Sequence, residues 1–495
     1  MPWPPNPVVH EIFTWVWLAD LGEQLGRRVT LADVPERVWD DVASPGIDAV
    51  WLMGVWERSP HGASLARANP SLQTAHLDAL PDLVDDDVVG SAYCIRRYAV
   101  DDRLGGDTGL ATARAALAAR GVRLILDLVP NHMAPDHPWT REHPEYFIHG
   151  SADDLRRDPL SFVQVGEHVL ACGRDPYFPA WPDVVQLDAS RADVRAAMAE
   201  LMVALTQVCD GVRCDMAMLM LDDVFASTWG NRATGAAPPD QRSGFWPTVI
   251  GAARAARPDF AMWAEAYWGL EPVLVEQGFD ACYDKRLYDR LLHGTPIAEV
   301  RAHLSAPLTE QHHTIRFIEN HDEPRAAALL SPAAHRATLI ALLTLPGIAL
   351  LHEGGAEGRK VRVPVTLGRR PAEALDASLH DHVHHVLGLV AGMRAGQWSL
   401  ATVDGWPDNH SADRLLAWAW TDGANRHLVV LNLTDHGADG RVRLPWNDLG
   451  ATTLHLTDLL TAAQYERDAA GVAADGLYVA LDGAAAHLFR VQPAQ

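Results

Sequence analysis

Four short stretches of this chain end in residues that can do chemistry, and each end follows an apolar run. Gly211-Val212-Arg213-Cys214-Asp215 is the most informative of them. Residues two apart on a strand point the same way, so Arg213 and Asp215 emerge together. An arginine beside a carboxylate favours the ionised form and lowers its pKa, which makes Asp215 a candidate nucleophile. Asp127-Leu128-Val129-Pro130-Asn131-His132 closes a second run, Glu265 a third and Glu319-Asn320-His321-Asp322 a fourth. Taken singly, an Arg-Asp pair, a Glu or a His at a strand end is more often structural. Four of them in step with the strand pattern point to one shared site.

Two carboxylates with different roles are what cleavage of a glycosidic bond requires, one as acid and the other as nucleophile or base. Arg213 suits Asp215 to the ionised role. Glu265 follows Trp263 and Ala264 in an apolar strand, surroundings that raise a carboxyl pKa and suit the acid. Asp322 and His321 are placed to hold sugar hydroxyls and to stabilise positive charge on the ring.

The elements that must position these groups are legible as alternating strands and helices. Strands are expected at His10 to Leu18, Asp48 to Met53, Gly121 to Asp127, Gly211 to Asp215, Phe260 to Glu265, Phe279 to Tyr283, Thr314 to Ile318 and Gly347 to His352. Helices are expected at Gly109 to Arg120 (capped by Asp107 or Thr108), Arg191 to Cys209, Gly251 to Arg257 and Pro332 to Thr344. Alternation of this kind implies parallel βα units, and eight of them make a (β/α)8 TIM barrel with its chemistry at the strand ends. The fold class is therefore α/β. The expected organisation is a catalytic barrel over residues 1–395, a short inserted domain at 131–190 after the third strand, and a C-terminal antiparallel β-sandwich at 398–495. Strand candidates in that last part are Leu415 to Trp420, His427 to Leu433, Arg441 to Leu444, Thr452 to Leu456 and Ala486 to Val491.

Composition narrows the partners. A formal net charge of -23 over 495 residues argues against nucleic acid or an anionic membrane, since both need basic surface. No apolar run is long enough to span a membrane, and Met1-Pro2-Trp3-Pro4-Pro5 lacks the features of a signal peptide. The five cysteines are scattered without a C-x-x-C pair, which reads as reduced thiols in a cytoplasmic protein. Seventeen tryptophans leave some free to stack on the apolar faces of sugars. The expected partner is a small carbohydrate. Oligomeric state is not legible.

The four segments resemble the motif regions of the α-amylase superfamily, glycoside hydrolase family 13, in the right order. Asp127 to His132 is similar to its first region, Gly211 to Asp215 to its second, Ala264-Glu265-Ala266 to its third and Phe317 to Asp322 to its fourth. The resemblance implies Asp215 as nucleophile, Glu265 as general acid/base and Asp322 as a third carboxylate that grips and distorts the sugar. It implies sugar-binding roles for Arg213, His132 and His321, and for Tyr93 in the loop Gly90-Ser91-Ala92-Tyr93. It also implies a retaining mechanism through a covalent glycosyl-enzyme, acting on short α-glucosides or α-glucan oligosaccharides. Hydrolysis is the first expectation. Transglycosylation or isomerisation, as by a glucanotransferase or trehalose synthase, uses the same residues. A non-catalytic scaffold is disfavoured because all three carboxylates are present.

Several positions depart from the family. Asp215 is followed by Met216-Ala217-Met218-Leu219 where a Lys-His pair is usual, so an apolar leaving-group side is weighed against methionines packed under a loop. Arg97, with Arg96 before it, stands where many disaccharide-cleaving relatives carry an aspartate. They suit a charged substrate, but surface salt bridges are the preferred reading. The acidic run Asp85-Asp86-Asp87 is expected to be a solvated turn, within a loop that could wall the pocket. No cofactor is expected, except that the resemblance places calcium near Asn131 without revealing its other ligands. His380 and His384 sit at i, i+4, but a solvated helix face is preferred over a metal pair.

Overall fold

The computed structural model describes residues 3–235, 244–446, 448–449 and 453–493. Eight parallel strands close a barrel: Val8–Phe13, Ala49–Met53, Arg123–Leu128, Gly211–Cys214, Ala261–Ala264, Ala281–Tyr283, Thr314–Arg316 and Ile348–His352. Pairing of Val8 with Ala349 joins the first strand to the last. The strands are apolar on both faces because helices cover the outside and side chains fill the inside. Ala49–Met53 and Gly211–Cys214 are buried throughout.

All eight expected strands are in the barrel. The first is shifted: it spans Val8–Phe13, and Thr14 to Leu18 opens the helix Thr14–Leu25 instead. Its apolar residues Trp15, Val16, Trp17 and Leu18 are all buried, so burial on a helix imitated a continuous strand. The helix expected from Gly109 begins at Gly106, with Gly105 rather than Asp107 or Thr108 at its cap. Asp107 sits in the first turn and accepts from Val100 N–H.

Between the third strand and the helix Ala192–Val208 the chain is less irregular than expected. Strands His132–Met133, Phe162–Val165, His168–Gly173 and Trp181–Gln186 make a four-stranded antiparallel sheet. After the helix Ala377–Met393 the chain forms a six-stranded and a three-stranded antiparallel sheet. The expected strands appear there, the third displaced to Ala438–Val442. Gln397–Ala401, Val403–Asp404, Gln464–Asp468 and Leu477–Leu481 join them unforeseen. Gln464–Asp468 has no fully buried residue, so it carries no hydrophobic signal. Thr452, expected to open a strand, and Met1 and Pro2 of the N-terminal reading lie outside the described residues. No helix among the described residues is long and apolar enough to cross a membrane.

Candidate active site

Strand register brings the fourth and fifth strand ends level. Arg213 pairs with Asp127 on one side and Trp263 on the other, and Cys214 pairs with Ala264. The ladder runs one residue further: Asp215 N–H donates to Leu128 O and Glu265 N–H to Cys214 O. The fourth strand fits this tightly because it starts on a glycine. A Cβ at Gly211 would lie 2.6 Å from Ala261 Cβ.

Arg213 joins the two carboxylates. Its Nη1 donates to Asp215 Oδ1 at 2.8 Å and its Nη2 to Glu265 Oε2 at 2.7 Å. Asp127 Oδ1 lies 3.9 Å from Nη1. The guanidinium packs against the rings of Trp51, Tyr93 and Tyr283, each within 6 Å, where cation–π attraction offsets some lost hydration. Glu265 takes two more bonds, from Met216 N–H at 2.8 Å and Tyr267 O–H at 2.7 Å. Met216 has φ +42°, a left-handed backbone unfavourable for a residue with a side chain. That turn aims its N–H at Glu265.

Both carboxylates are buried, and desolvation disfavours charge. It raises Glu265 to about 7 despite Arg213, with Asp215 and Asp322 adding repulsion. The expectation that Arg213 lowers Asp215 is corrected. Burial outweighs the arginine, and Asp215 also moves up from the ordinary aspartate value.

The seventh strand end faces this pair from another direction. His321 Nδ1 bonds Glu11 Oε1, and its Nε2 lies 2.6 Å from Tyr93 Oη and 3.0 Å from Asp322 Oδ2. Glu11 comes from the first strand and also lies 3.1 Å from His352 Nδ1. Burial opposes a charged His321, but Asp322 and Glu11 prevail and raise it well above the ordinary value. The same contacts override desolvation at Asp322 and at Glu11, and both move down. His132 is buried, with its Nε2 3.2 Å from Tyr93 O, and burial lowers it to about 4. The structure thus links four of the seven expected site residues, Asp215, Glu265, Tyr93 and Asp322, directly to Arg213 or His321, and holds His132 behind Tyr93.

No family model matches the chain. Over 444 residues, which is 87% of its length, it is 24% identical to α-amylase MalA from Haloarcula japonica. The chain spans only 56% of that relative. Over its whole length it superposes on the noncanonic maltogenic α-amylase AmyB from Thermotoga neapolitana, with a TM-score of 0.68 at 17% identity and all of both chains covered. An acarbose complex of an α-amylase from Geobacillus thermoleovorans gives 0.68 at 16% identity, again with both chains fully covered.

The chain has the α-amylase fold. This bears out the fold expected from the four strand ends. Around that α-amylase framework, the departures resolve individually. Ala217 to Met220 form a buried turn, so Met218 and Leu219 pack under a loop and offer no apolar leaving-group surface. Arg96 pairs with Glu57 and approaches Asp136, and Arg97 also pairs with Glu57, which is the salt-bridge reading. In the acidic run, Asp87 is buried and gripped by Arg369 rather than solvated. Around Asn131 the donors do not suit calcium. Gln186 Nε2 donates to Asn131 O and Oδ1 at 2.9 Å and to Leu187 O at 3.0 Å, filling with an N–H donor the place among oxygens that a cation needs. Among the described residues no cluster of three His, Cys, Asp or Glu is arranged for a metal. The rings of His380 and His384 lie with centroids 4.2 Å apart and are tilted by 43°.

Sequence reading missed several contributors. Glu11 was detectable as an acid inside an apolar strand. Tyr267 and Trp268 follow Glu265 closely. Trp268, at φ +63°, meets Tyr177 edge-on with centroids 4.8 Å apart. Tyr177, Phe178 and Trp268 are all exposed.

Proposed function

We propose that the chain is a retaining α-glycosidase acting on short α-glucosides or α-glucan oligosaccharides. The observation that carries this is the single guanidinium of Arg213 clasping both Asp215 and Glu265. It holds two carboxylates side by side, which suits the close spacing of retaining enzymes rather than the wider gap that leaves room for a water in inverting ones. Glu265, raised to about 7 by burial, is the group that carries the proton, and Asp215, bonded to Arg213 Nη1, is the attacking carboxylate.

Glu265 protonates the glycosidic oxygen as Asp215 attacks the anomeric carbon. The C–O bond to the leaving sugar breaks, and an ester forms between Asp215 and the retained glycosyl group. Glu265, now ionised, takes a proton from water as that water attacks the same carbon and releases Asp215. Asp322, held low by His321, accepts hydroxyl hydrogen bonds and stabilises the developing ring charge. Tyr93 stacks on the sugar, and Arg213, His132 and His321 position it. The five buried, unpaired cysteines fit a cytoplasmic setting.

A second reading, transglycosylation, is favoured by the exposed pair Tyr177 and Trp268, the latter three residues after Glu265. Those faces suit an acceptor sugar better than water. Product analysis with maltose, maltotriose, sucrose, trehalose and starch tests both readings. Free glucose or short maltosaccharides as the dominant products support hydrolysis. Longer oligosaccharides or an isomerised disaccharide support transfer. No turnover of any of them contradicts the proposal.

A further inference from the structure

Away from the carboxylates lies a cavity of about 650 Å³. It sits between the helix Thr14–Leu25, the segment after Asp85, the turn Asp102–Leu104 and the loop at Gly368. Five arginines line it: Arg27, Arg28, Arg67, Arg103 and Arg369. Two lining carboxylates, Asp86 and Asp87, oppose them. Five arginines in one lining stand out in a chain with 41 basic residues.

Three of the arginines are already committed to acids. Arg27 pairs with Asp33, Arg103 with Asp101, and Arg369 with Asp82 and Asp87. Arg28 and Arg67 are different. Arg28 Nη2 donates only to Arg103 O, at 2.8 Å. Arg67 donates to Asp85 O at 3.1 Å and to Val88 O at 2.8 Å. Among the described residues neither has a carboxylate within ion-pair distance. Both guanidiniums are anchored by backbone carbonyls, which orients them while leaving their charge uncompensated. Part of the lining is apolar. Trp15 carries Arg103 over its ring, 4.5 Å from the centroid, and Val88, Val89 and Leu104 flank it.

We propose that this cavity binds a phosphate-bearing small molecule, with Arg28 and Arg67 as the principal phosphate contacts. Guanidinium groups match phosphate oxygens in charge and bidentate geometry. The volume exceeds that of a free phosphate ion, and the apolar wall suits the body of a phosphorylated sugar. The inference does not depend on the glycosidase reading, since none of these arginines touches Asp215, Glu265 or Asp322.

Isothermal titration of the full chain with glucose 6-phosphate, inorganic phosphate and glucose tests it, at ionic strength matched with chloride. Glucose 6-phosphate is expected to bind saturably and to raise Tm. Glucose is expected to show no binding by this route. In the Arg28→Ala/Arg67→Ala variant the affinity should fall by about tenfold or more, the loss expected for two charge-assisted hydrogen bonds. Arg28→Glu, a change at an exposed position, should weaken binding on its own. Equal affinity for inorganic phosphate would identify the free ion as the ligand. Tighter glucose 6-phosphate would identify the phosphorylated sugar. No saturable binding of either up to about 10 mM, or unchanged affinity in the variants, overturns the proposal.

Discussion

Two sides of the barrel mouth carry the same kinds of groups in opposite electrostatic states. On one side a single cation, Arg213, serves Asp215, Glu265 and the more distant Asp127. Burial wins there, and all three carboxyls are pushed up. On the other side Glu11 and Asp322 share His321, and Glu11 has His352 as well. There the ion pairs win, and both carboxyls are held down. Residue type alone does not decide whether a buried acid keeps its proton. The balance of cations and carboxylates on each side does, together with exposure, since the Asp322 side chain is open to solvent while Asp215 and Glu265 are buried.

Removing the proposed nucleophile tests the first side most severely. Asp215→Asn is expected to lower kcat on maltotriose by at least about 10⁴-fold, with Tm close to that of the parent. Removing the shared cation comes next. Arg213→Ala leaves buried carboxylates unpaired and is expected to cost about 3–5 kcal/mol in urea unfolding.

The pH dependence separates the two sides. With Glu265 raised to about 7, kcat/KM should fall as pH rises through about 7. Its folded pKa lies above the unfolded value, so its proton stabilises the fold at low pH, and that contribution is lost as pH rises through about 7. Glu265→Gln should remove both effects, seen as the difference between parent and variant in rate and in unfolding midpoint. On the other side, Glu11→Gln withdraws one carboxylate from His321. Glu11 also repels Asp322 directly. Its loss brings down the pKa of His321, which keeps Asp322 as its remaining carboxylate partner. His321 then gives up its proton at lower pH, so the alkaline limb of the KM profile should move to lower pH. An unmoved limb would make Glu11 purely structural.

The smallest effect is expected outside both sides. Trp268→Ala should raise KM for maltoheptaose about three- to tenfold, from lost apolar contact, and leave maltose nearly unaffected.

The sequence made the first side of the mouth almost fully legible. Arg213, Asp215 and Glu265 end short apolar runs that have no other plausible place in a parallel barrel, and Gly211 marks the close approach. Their protonation states were half legible. The apolar surroundings of Glu265 pointed the right way, whereas the local Arg213-Asp215 pairing hid the cost of burying both groups. The second side was less visible. Its relay joins Glu11 to His321 across 310 positions, and the misplaced first strand drew attention away from the acid within it. The aromatic pair Tyr177 and Trp268 left no signal, because nothing local links a loop residue of the antiparallel sheet to one after the fifth strand.

The most direct test of the central claim, that Asp215 attacks the sugar while Glu265 supplies the proton, is to trap the covalent intermediate. The full chain would be incubated with 5-fluoro-α-glucosyl fluoride and analysed by intact mass and peptide mapping. The account predicts one added glycosyl group, on the peptide containing Asp215, and none in Asp215→Asn. Turnover without any adduct, or an adduct on a different carboxylate, would contradict it.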